Sequence, residues 1–285
     1  MMFRLLFKSR VARKLLQNKS AMVALGFLVA LAALAVVAPF FAKDPDLQDL
    51  AGRLAQPSLQ HWLGTDQFGR DLFSRLVAAS RVTALAVALG VGIGVVIGIP
   101  LGVITGYAGG WIDAFISRVA DALLALPPLL LALAIVGVLG RSLTNAMIAV
   151  GLVLAPRFLR VARAAVLSVS REGYVEAAVA DGCSPQRVLL RHILPNAIGP
   201  LLVQVSFGVG VVISAEASLS FLGLGVQAPQ ASWGSLIRQS FDIVYQDAFP
   251  LFPPTLLVAA TVWAVFVIGD GLRDAFQGAG GHGRA

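Results

Sequence analysis

The chain has 285 residues, of which 58% are hydrophobic and only 13% are charged, and its formal net charge is +7. A soluble domain of this size carries roughly 25% charged residues, so the composition excludes an ordinary soluble protein. The positive charge does not indicate a nucleic-acid-binding protein, because the basic residues are distributed among separate segments and form no stripe.

Long stretches without charge predict membrane-spanning helices. A helix needs about 20 apolar residues to cross the ~30 Å hydrocarbon layer of a bilayer. One candidate span ends with Arg157 and Arg160, whose side chains are expected to reach the interface, and another is interrupted only by Glu216. The sequence therefore predicts an all-α polytopic membrane bundle with six spans, over residues 22–41, 83–106, 119–139, 143–163, 197–222 and 252–272.

The basic N-terminus predicts the orientation of the chain. Lysines and arginines, but no acidic residues, precede the first span, and such a tail stays in the cytoplasm. The first apolar stretch is longer than the 7–15 residues of a signal peptide, so cleavage is not expected. Six spans return the C-terminus to the same side. The predicted order is a cytoplasmic tail (1–21), a first transmembrane helix (22–41), an outer segment (42–82), a five-helix core (83–276) and a cytoplasmic tail (277–285).

The outer segment ends in a sequence that predicts a helix. From Asp71 onward, Leu72, Leu76 and Val77 share one helical face. This helix is expected to lie against the membrane before it enters the second span. A simple connector is the alternative interpretation.

The second span carries a glycine at every fourth position. Residues at this spacing form one slowly drifting groove along a helix. In a membrane, small residues let another backbone approach closely, and this offsets the helix propensity that glycine loses. We expect close helix packing, and a sliding face in a moving bundle is the alternative. The five glycines are Gly90, Gly94, Gly98, Gly102 and Gly106.

Prolines and a few ionisable residues interrupt the other spans. Pro127 and Pro128 are expected to kink the third span, because proline removes a backbone donor. Arg118 and Asp121 lie three residues apart and are expected to pair. Glu216 has no local partner in the sequence. It is expected to face the bundle interior or a water-filled cavity, or to be buried against a backbone group or an arginine.

A charged, helix-forming segment connects the fourth and fifth spans. GYVEAAVAD predicts a short helix that ends at Gly182, and Ser184 and Pro185 predict an N-cap and a first residue for a second helix. That second helix, with Arg187 and Arg191 on one face, is expected to end at Pro195. We call residues 168–196 the helical loop. Its sequence therefore predicts two rigid helices that are suited to binding a soluble partner.

The helical loop resembles the EAA loop of ABC-importer membrane subunits. The family pattern is matched at Glu176, Ala177, Ala178, Gly182, Leu194 and Pro195, and the one departure is His192 at a position where the family has isoleucine. Four further stretches resemble the C-type permease of the dipeptide/oligopeptide/nickel branch. They are GTDQFGRDLFSRL at 64–76, RHILPN at 191–196, EASLSFLGLGVQAP at 216–229 with SWG at 232–234, and GDGLRDA at 269–275.

The resemblance implies one half of a channel in a bacterial or archaeal cytoplasmic membrane. The expected partners are a second homologous permease, two cytoplasmic ATP-binding subunits that dock on the helical loop, and an extracytoplasmic solute-binding protein. Dipeptides or oligopeptides are the expected substrates, and nickel or another small solute is the alternative. Glu216, Ser218 and Ser220 are candidates for lining the pathway. The chain has no GxxxxGK[ST] sequence, so we expect no enzyme activity, and ATP and Mg²⁺ bound only by partners.

Two other classes fit the sequence less well. An ion-coupled secondary transporter would show inverted repeats and ionisable residues at the membrane midplane, and neither is evident in the sequence. An intramembrane enzyme would need paired catalytic groups within the spans, and the predicted spans contain no such pair. The three histidines lie in separate segments, so no metal-ligand cluster is expected, and the single cysteine, Cys183, cannot form an internal disulfide.

Overall fold

The computed structural model of the protein describes residues 11–280. The parts of the predicted terminal tails that fall on residues 1–10 and 281–285 lie outside the described residues. Within the described range every regular element is a helix or helical turn, apart from one isolated antiparallel bridge between Thr65 and Asp71. Residues 11–17 are helical. The helices that follow are α1 (Lys19–Val37), α2 (Leu72–Ala108), α3 (Gly110–Ala125), α4 (Pro128–Leu139), α5 (Leu143–Ser170), α6 (Gly173–Ala180), α7 (Pro185–Val188), α8 (Leu194–Phe221), α9 (Trp233–Phe241) and α10 (Phe252–Gly280).

The predicted all-α membrane bundle is confirmed, but its six spans are not. Among residues 11–280, four helical stretches are long and apolar enough to cross a membrane, and a bent pair made of α3 and α4 raises the count to five. α5, which contains the predicted fourth span, is not among them, although its 28 residues are long enough. The four stretches are Lys19–Val37, Leu72–Ala108, Pro185–Phe221 and Phe249–Phe276.

The predicted third span is broken. α3 and α4 meet at an angle of 95°, so the bend is much sharper than the expected kink. Leu126 and Pro127 connect the two helices, and both have extended backbone angles. Each of these residues precedes a proline, and the ring of a proline disfavours the helical conformation of the residue before it. Two consecutive prolines therefore force two consecutive extended residues.

α2 is longer than predicted and connects the two ends of the molecule. It begins at Leu72, with the Asp71 carboxylate accepting a hydrogen bond from the backbone N–H of Ser74, and it runs without interruption into the second span. The helix predicted to lie against the membrane after Asp71 is thus the first part of α2. At 1.5 Å per residue, its 37 residues extend about 55 Å.

The glycines of α2 lie directly against neighbouring helices, and all five are buried. A Cβ atom at Gly98 would collide with the carbonyl oxygen of Ala155 on α5, and one at Gly106 would lie 2.9 Å from the carbonyl oxygen of Arg163. At Gly90 the nearest atom is a methyl group of Val212 on α8, 3.0 Å away. The backbones of α2 and α5 therefore approach each other as closely as glycine permits.

Candidate functional site

The first helix of the helical loop ends in a Schellman motif. The backbone N–H of Cys183 donates to the carbonyl of Ala178, and that of Gly182 donates to the carbonyl of Val179. Gly182 has a φ of +78°, a left-handed conformation that glycine adopts without strain. The turn that follows α6 at Gly182 thus agrees with the sequence prediction.

The second helix does not end where the sequence predicts. Ser184 is extended and Pro185 is the first helical residue, but the Ser184 side chain makes no capping hydrogen bond. α7 passes through a π turn at Leu189–Ile193, in which the N–H of Leu194 donates to the carbonyl of Leu189, and continues directly into α8. This wider turn rearranges the hydrogen bonds just before Pro195, which has no N–H to donate, so the helix passes the proline.

Apolar side chains hold the helical loop against the ends of α2 and α5. Val175, Val188 and Ile193 are buried in one cluster with Val166 of α5. The hydroxyl of Tyr107, at the end of α2, donates to the carbonyl of Pro185 over 3.1 Å. These contacts fix the helical loop to two long helices.

The outward surface of the helical loop combines small and charged side chains. Glu176 and Ala177 are exposed on α6, while Ala178 is buried beneath them. Arg187 and Arg191 are exposed on the second helix, together with Leu190. Leu194 and Pro195 are half-buried where α8 begins. The structure thus presents a carboxylate, a small residue and two guanidinium groups on one rigid support.

Glu216 is enclosed within the chain and has a partner that the sequence analysis missed. Its carboxylate accepts a 2.7 Å hydrogen bond from the hydroxyl of Ser220, one helical turn away, and both residues are 1% exposed. The prediction that Glu216 has no local partner is wrong. Gly234 of α9 lies against the Ala217 backbone and covers this part of α8. Ser218 differs, since it is half-buried on another face and its hydroxyl donates to the carbonyl of Ser214.

Ion pairs connect α3 to α5 near the helical loop. Asp121 pairs with Arg160 at 2.6 Å, so the predicted pair with Arg118 is wrong. Asp113 accepts two hydrogen bonds from Arg163, each 2.6 Å long. An arginine–carboxylate pair with two parallel hydrogen bonds has a defined geometry. Partners on another helix lie far away in the sequence, which is why local spacing suggested the wrong pair.

A buried arginine network at the opposite end of α2 was missed by the sequence analysis. The guanidinium of Arg70 donates to Asp66 over 2.7 Å and to the side-chain oxygen of Gln239, on α9, over 3.0 Å. Arg75, 1% exposed, reaches the same Gln239 oxygen, Asp66 and the carbonyl of Pro45. The sequence signal for such a network is the spacing of opposite charges four residues apart in DQFGRDLFSR. The network fixes the segment after α1 to α2 and α9.

The family is established by comparison with known sequences. Binding-protein-dependent transport system inner membrane components match residues 98–279, and the N-terminal transmembrane domain of oligopeptide transport permease C matches residues 7–57. The chain belongs to the first of these families. The resemblance predicted from the helical loop is thereby confirmed, and the helical loop lies inside the matched region.

Two relatives are similar over nearly the whole chain. The dipeptide transport system permease protein DppC of Alkalihalophilus pseudofirmus is 40% identical over 266 residues, which cover 93% of this chain and 88% of the relative. The glutathione transport system permease protein GsiD of Shigella flexneri is 40% identical over 271 residues, with the same coverage of both chains.

Two solved structures share the fold. A chain of the MetNI methionine ABC transporter, in an inward-facing conformation, superposes with a TM-score of 0.59 at 20% identity and covers 72% of this chain. A chain of an amino acid ABC transporter superposes with a TM-score of 0.53 at 22% identity and covers 73%. Nearly all of each solved chain is covered, 97% and 93%, so the ABC importer permease fold is confirmed.

Proposed function

We propose that the chain is one of two permease subunits in an ATP-driven importer of dipeptides or oligopeptides. The observation that carries the proposal is the helical loop, in which Glu176 and Ala177 are exposed on α6 and apolar side chains fix the loop to the ends of α2 and α5. A surface built in this way serves to receive force from a partner. The relatives, named as dipeptide and glutathione permeases, support a peptide substrate, since glutathione is itself a tripeptide.

The energy source in this proposal lies on other chains. The 285 residues contain no GxxxxGK[ST] sequence that would bind the phosphates of ATP. Two cytoplasmic ATP-binding subunits would dock on the helical loops of this chain and of a second, homologous permease. An extracytoplasmic solute-binding protein would deliver the peptide to the opposite face.

The distribution of charge supports the orientation. The basic residues before α1 and those around the helical loop would lie in the cytoplasm, together with both termini, under the positive-inside rule. The arginine network would then lie at the outer face of a bacterial or archaeal cytoplasmic membrane. α5 would form the remaining span, with Arg157, Arg160 and Arg163 towards the cytoplasmic side.

Alternating access is the mechanism that follows from this arrangement. ATP binding would close the two ATPases on each other and move the helical loops together. The tight contact of α2 with α5 would make these helices move as one rigid unit. In this mechanism the membrane helices would have two packings in equilibrium. ATP binding can shift that equilibrium only by its differential affinity for the two packings, so their free energies must differ by only a few kcal/mol.

Reconstitution in liposomes tests the proposal. We expect the chain, its partner permease, both ATPases and the binding protein together to accumulate trialanine when ATP is present. We expect no accumulation when the ATPases are left out, since the chain has no energy source of its own. Accumulation without the ATPases, driven by a proton or sodium gradient, would instead identify a secondary transporter.

A further inference from the structure

A cavity of about 440 Å³ lies between α3, α5 and α8. Its volume falls within the range of about 300–1,000 Å³ that small-molecule sites occupy. The walls combine apolar and cationic side chains, and the lining residues include Leu124, Arg157, Arg160, Gln204, Phe207 and Val211. A second cavity of about 390 Å³, between α2, α3, α4 and α5, is lined by apolar side chains such as Ile97, Phe115 and Leu152. Only the first of these two cavities offers groups that select a charged ligand.

The cavity is lined by one continuous face of α8. Gln204, Phe207, Gly208 and Val211 follow the spacing of a single helical face. Ser218 lies seven residues after Val211, on the same face, and it is only half-buried within this chain. Glu216 points to a different face and is enclosed. Of the residues that the sequence proposed for the pathway, Ser218 is therefore the one on the face of the cavity.

The two arginines of the cavity differ in their partners. Arg160 pairs with Asp121, which compensates its charge. Arg157 is half-buried, and among residues 11–280 it has no ion pair or hydrogen bond. The cavity thus carries one uncompensated positive charge. Arginines near the end of a membrane helix usually face the bundle interior or a water-filled cavity, so Arg157 is available to an anion that enters this cavity.

We propose that this cavity is a transit site for the C-terminal carboxylate of the imported peptide, with Arg157 as its cationic contact. The inference rests on the proposed function. A guanidinium binds a carboxylate through two parallel hydrogen bonds, and the side-chain amide of Gln204 supplies a further donor. Leu124, Phe207 and Val211 provide apolar surface for peptide side chains of varied shape. A single charged contact is weak enough to release the substrate, as transport requires.

Uptake of trialanine by the reconstituted complex tests the assignment. We expect Arg157→Gln to lower the maximal uptake rate at least tenfold, with unchanged yield of assembled complex and unchanged trialanine binding by the solute-binding protein. Arg157→Lys keeps the charge, so it is expected to recover most of the uptake. Arg118→Gln is the matched control, because Arg118 is exposed on α3 and forms no ion pair among the described residues. It is expected to stay within twofold of the wild type.

Each contrary outcome has a distinct meaning. Equal uptake by Arg157→Gln and the wild type would overturn the carboxylate site and leave the peptide importer intact. Loss of assembly in Arg157→Gln, restored in Arg157→Lys, would assign Arg157 to an ion pair with the partner permease and would also overturn the site. If the complete wild-type complex takes up no trialanine, the proposed function fails and the site assignment fails with it.

Discussion

Replacing Gly182 with valine is expected to leave the importer assembled and hydrolysing ATP, while peptide uptake falls at least tenfold. Gly182 holds a left-handed conformation with a φ of +78°. That conformation costs an L-residue roughly 1–2 kcal/mol, and a β-branched residue adopts it with particular difficulty. The two helices of the helical loop would then change their mutual angle. ATP turnover and uptake, measured in the same proteoliposomes, give the coupling ratio directly.

Gly173→Val is the matched control for this experiment. Gly173 also lies in the helical loop, is exposed and has open space around the position of a Cβ atom, but it has no left-handed backbone. As the first residue of α6 it accepts a side chain without strain. We expect uptake close to that of the wild type. If Gly182→Val transports normally, the geometry of this turn does not determine coupling.

Replacing Gly98 with leucine is expected to prevent stable packing of α2 against α5. The new side chain would collide with the backbone carbonyl of Ala155 and approach the Cβ of Phe158. Overpacking costs typically 1–3 kcal/mol, and we expect about 3 kcal/mol or more here, because a backbone atom cannot move aside as a side chain can. The measurement is the yield of folded complex and its midpoint of thermal unfolding.

Gly92→Leu provides the comparison on the same helix. A Cβ atom at Gly92 would have no atom within 4 Å, so the extra volume faces open space. Leucine also has the higher helix propensity, by about 1 kcal/mol. We expect yield and thermal midpoint at or slightly above the wild-type values. Equal losses in both variants would show that leucine disturbs membrane insertion and not the contact between α2 and α5.

Local patterns predicted well those features that depend on a few neighbouring residues. The turn at Gly182 follows from the conformational freedom of glycine, and the glycine stripe of α2 identified a face that approaches another helix. The identity of that other helix required the structure, since Ala155 and Arg163 lie more than 50 positions away from the glycines that they contact. Asp121 shows the same limit, because its partner Arg160 lies on another helix.

Other features were misjudged although the local signals were present. Pro195 was expected to end a helix, but a π turn at Leu189–Ile193 carries the chain past it. Ser220 lies one turn after Glu216, a spacing at which a serine hydroxyl can donate to the carboxylate, and the sequence contains this signal. The two consecutive prolines predict an interruption between α3 and α4, but they do not by themselves predict its angle of 95°.

Two exposed residues lie near the opposite ends of α2 and can report on which side of the membrane each end lies. Gln186, exposed on α7, is next to Pro185, which contacts Tyr107 at one end of α2. Leu59 is 97% exposed and lies two residues before His61, which contacts Asp71 at the other end. In a Cys183→Ser background, Gln186→Cys and Leu59→Cys each provide a single thiol. A membrane-impermeant maleimide then reports the side of the membrane on which each thiol lies.

The decisive measurement is the labelling of these two thiols in oriented vesicles, with and without the ATPase subunits. We expect the thiol of Gln186→Cys to react only from the cytoplasmic face and to be protected when the ATPases are bound. The thiol of Leu59→Cys should react only from the outside, whether or not the ATPases are present. Labelling of Gln186→Cys from the outside, or undiminished labelling when the ATPases are bound, would show that the helical loop is not the cytoplasmic docking site of the ATPases.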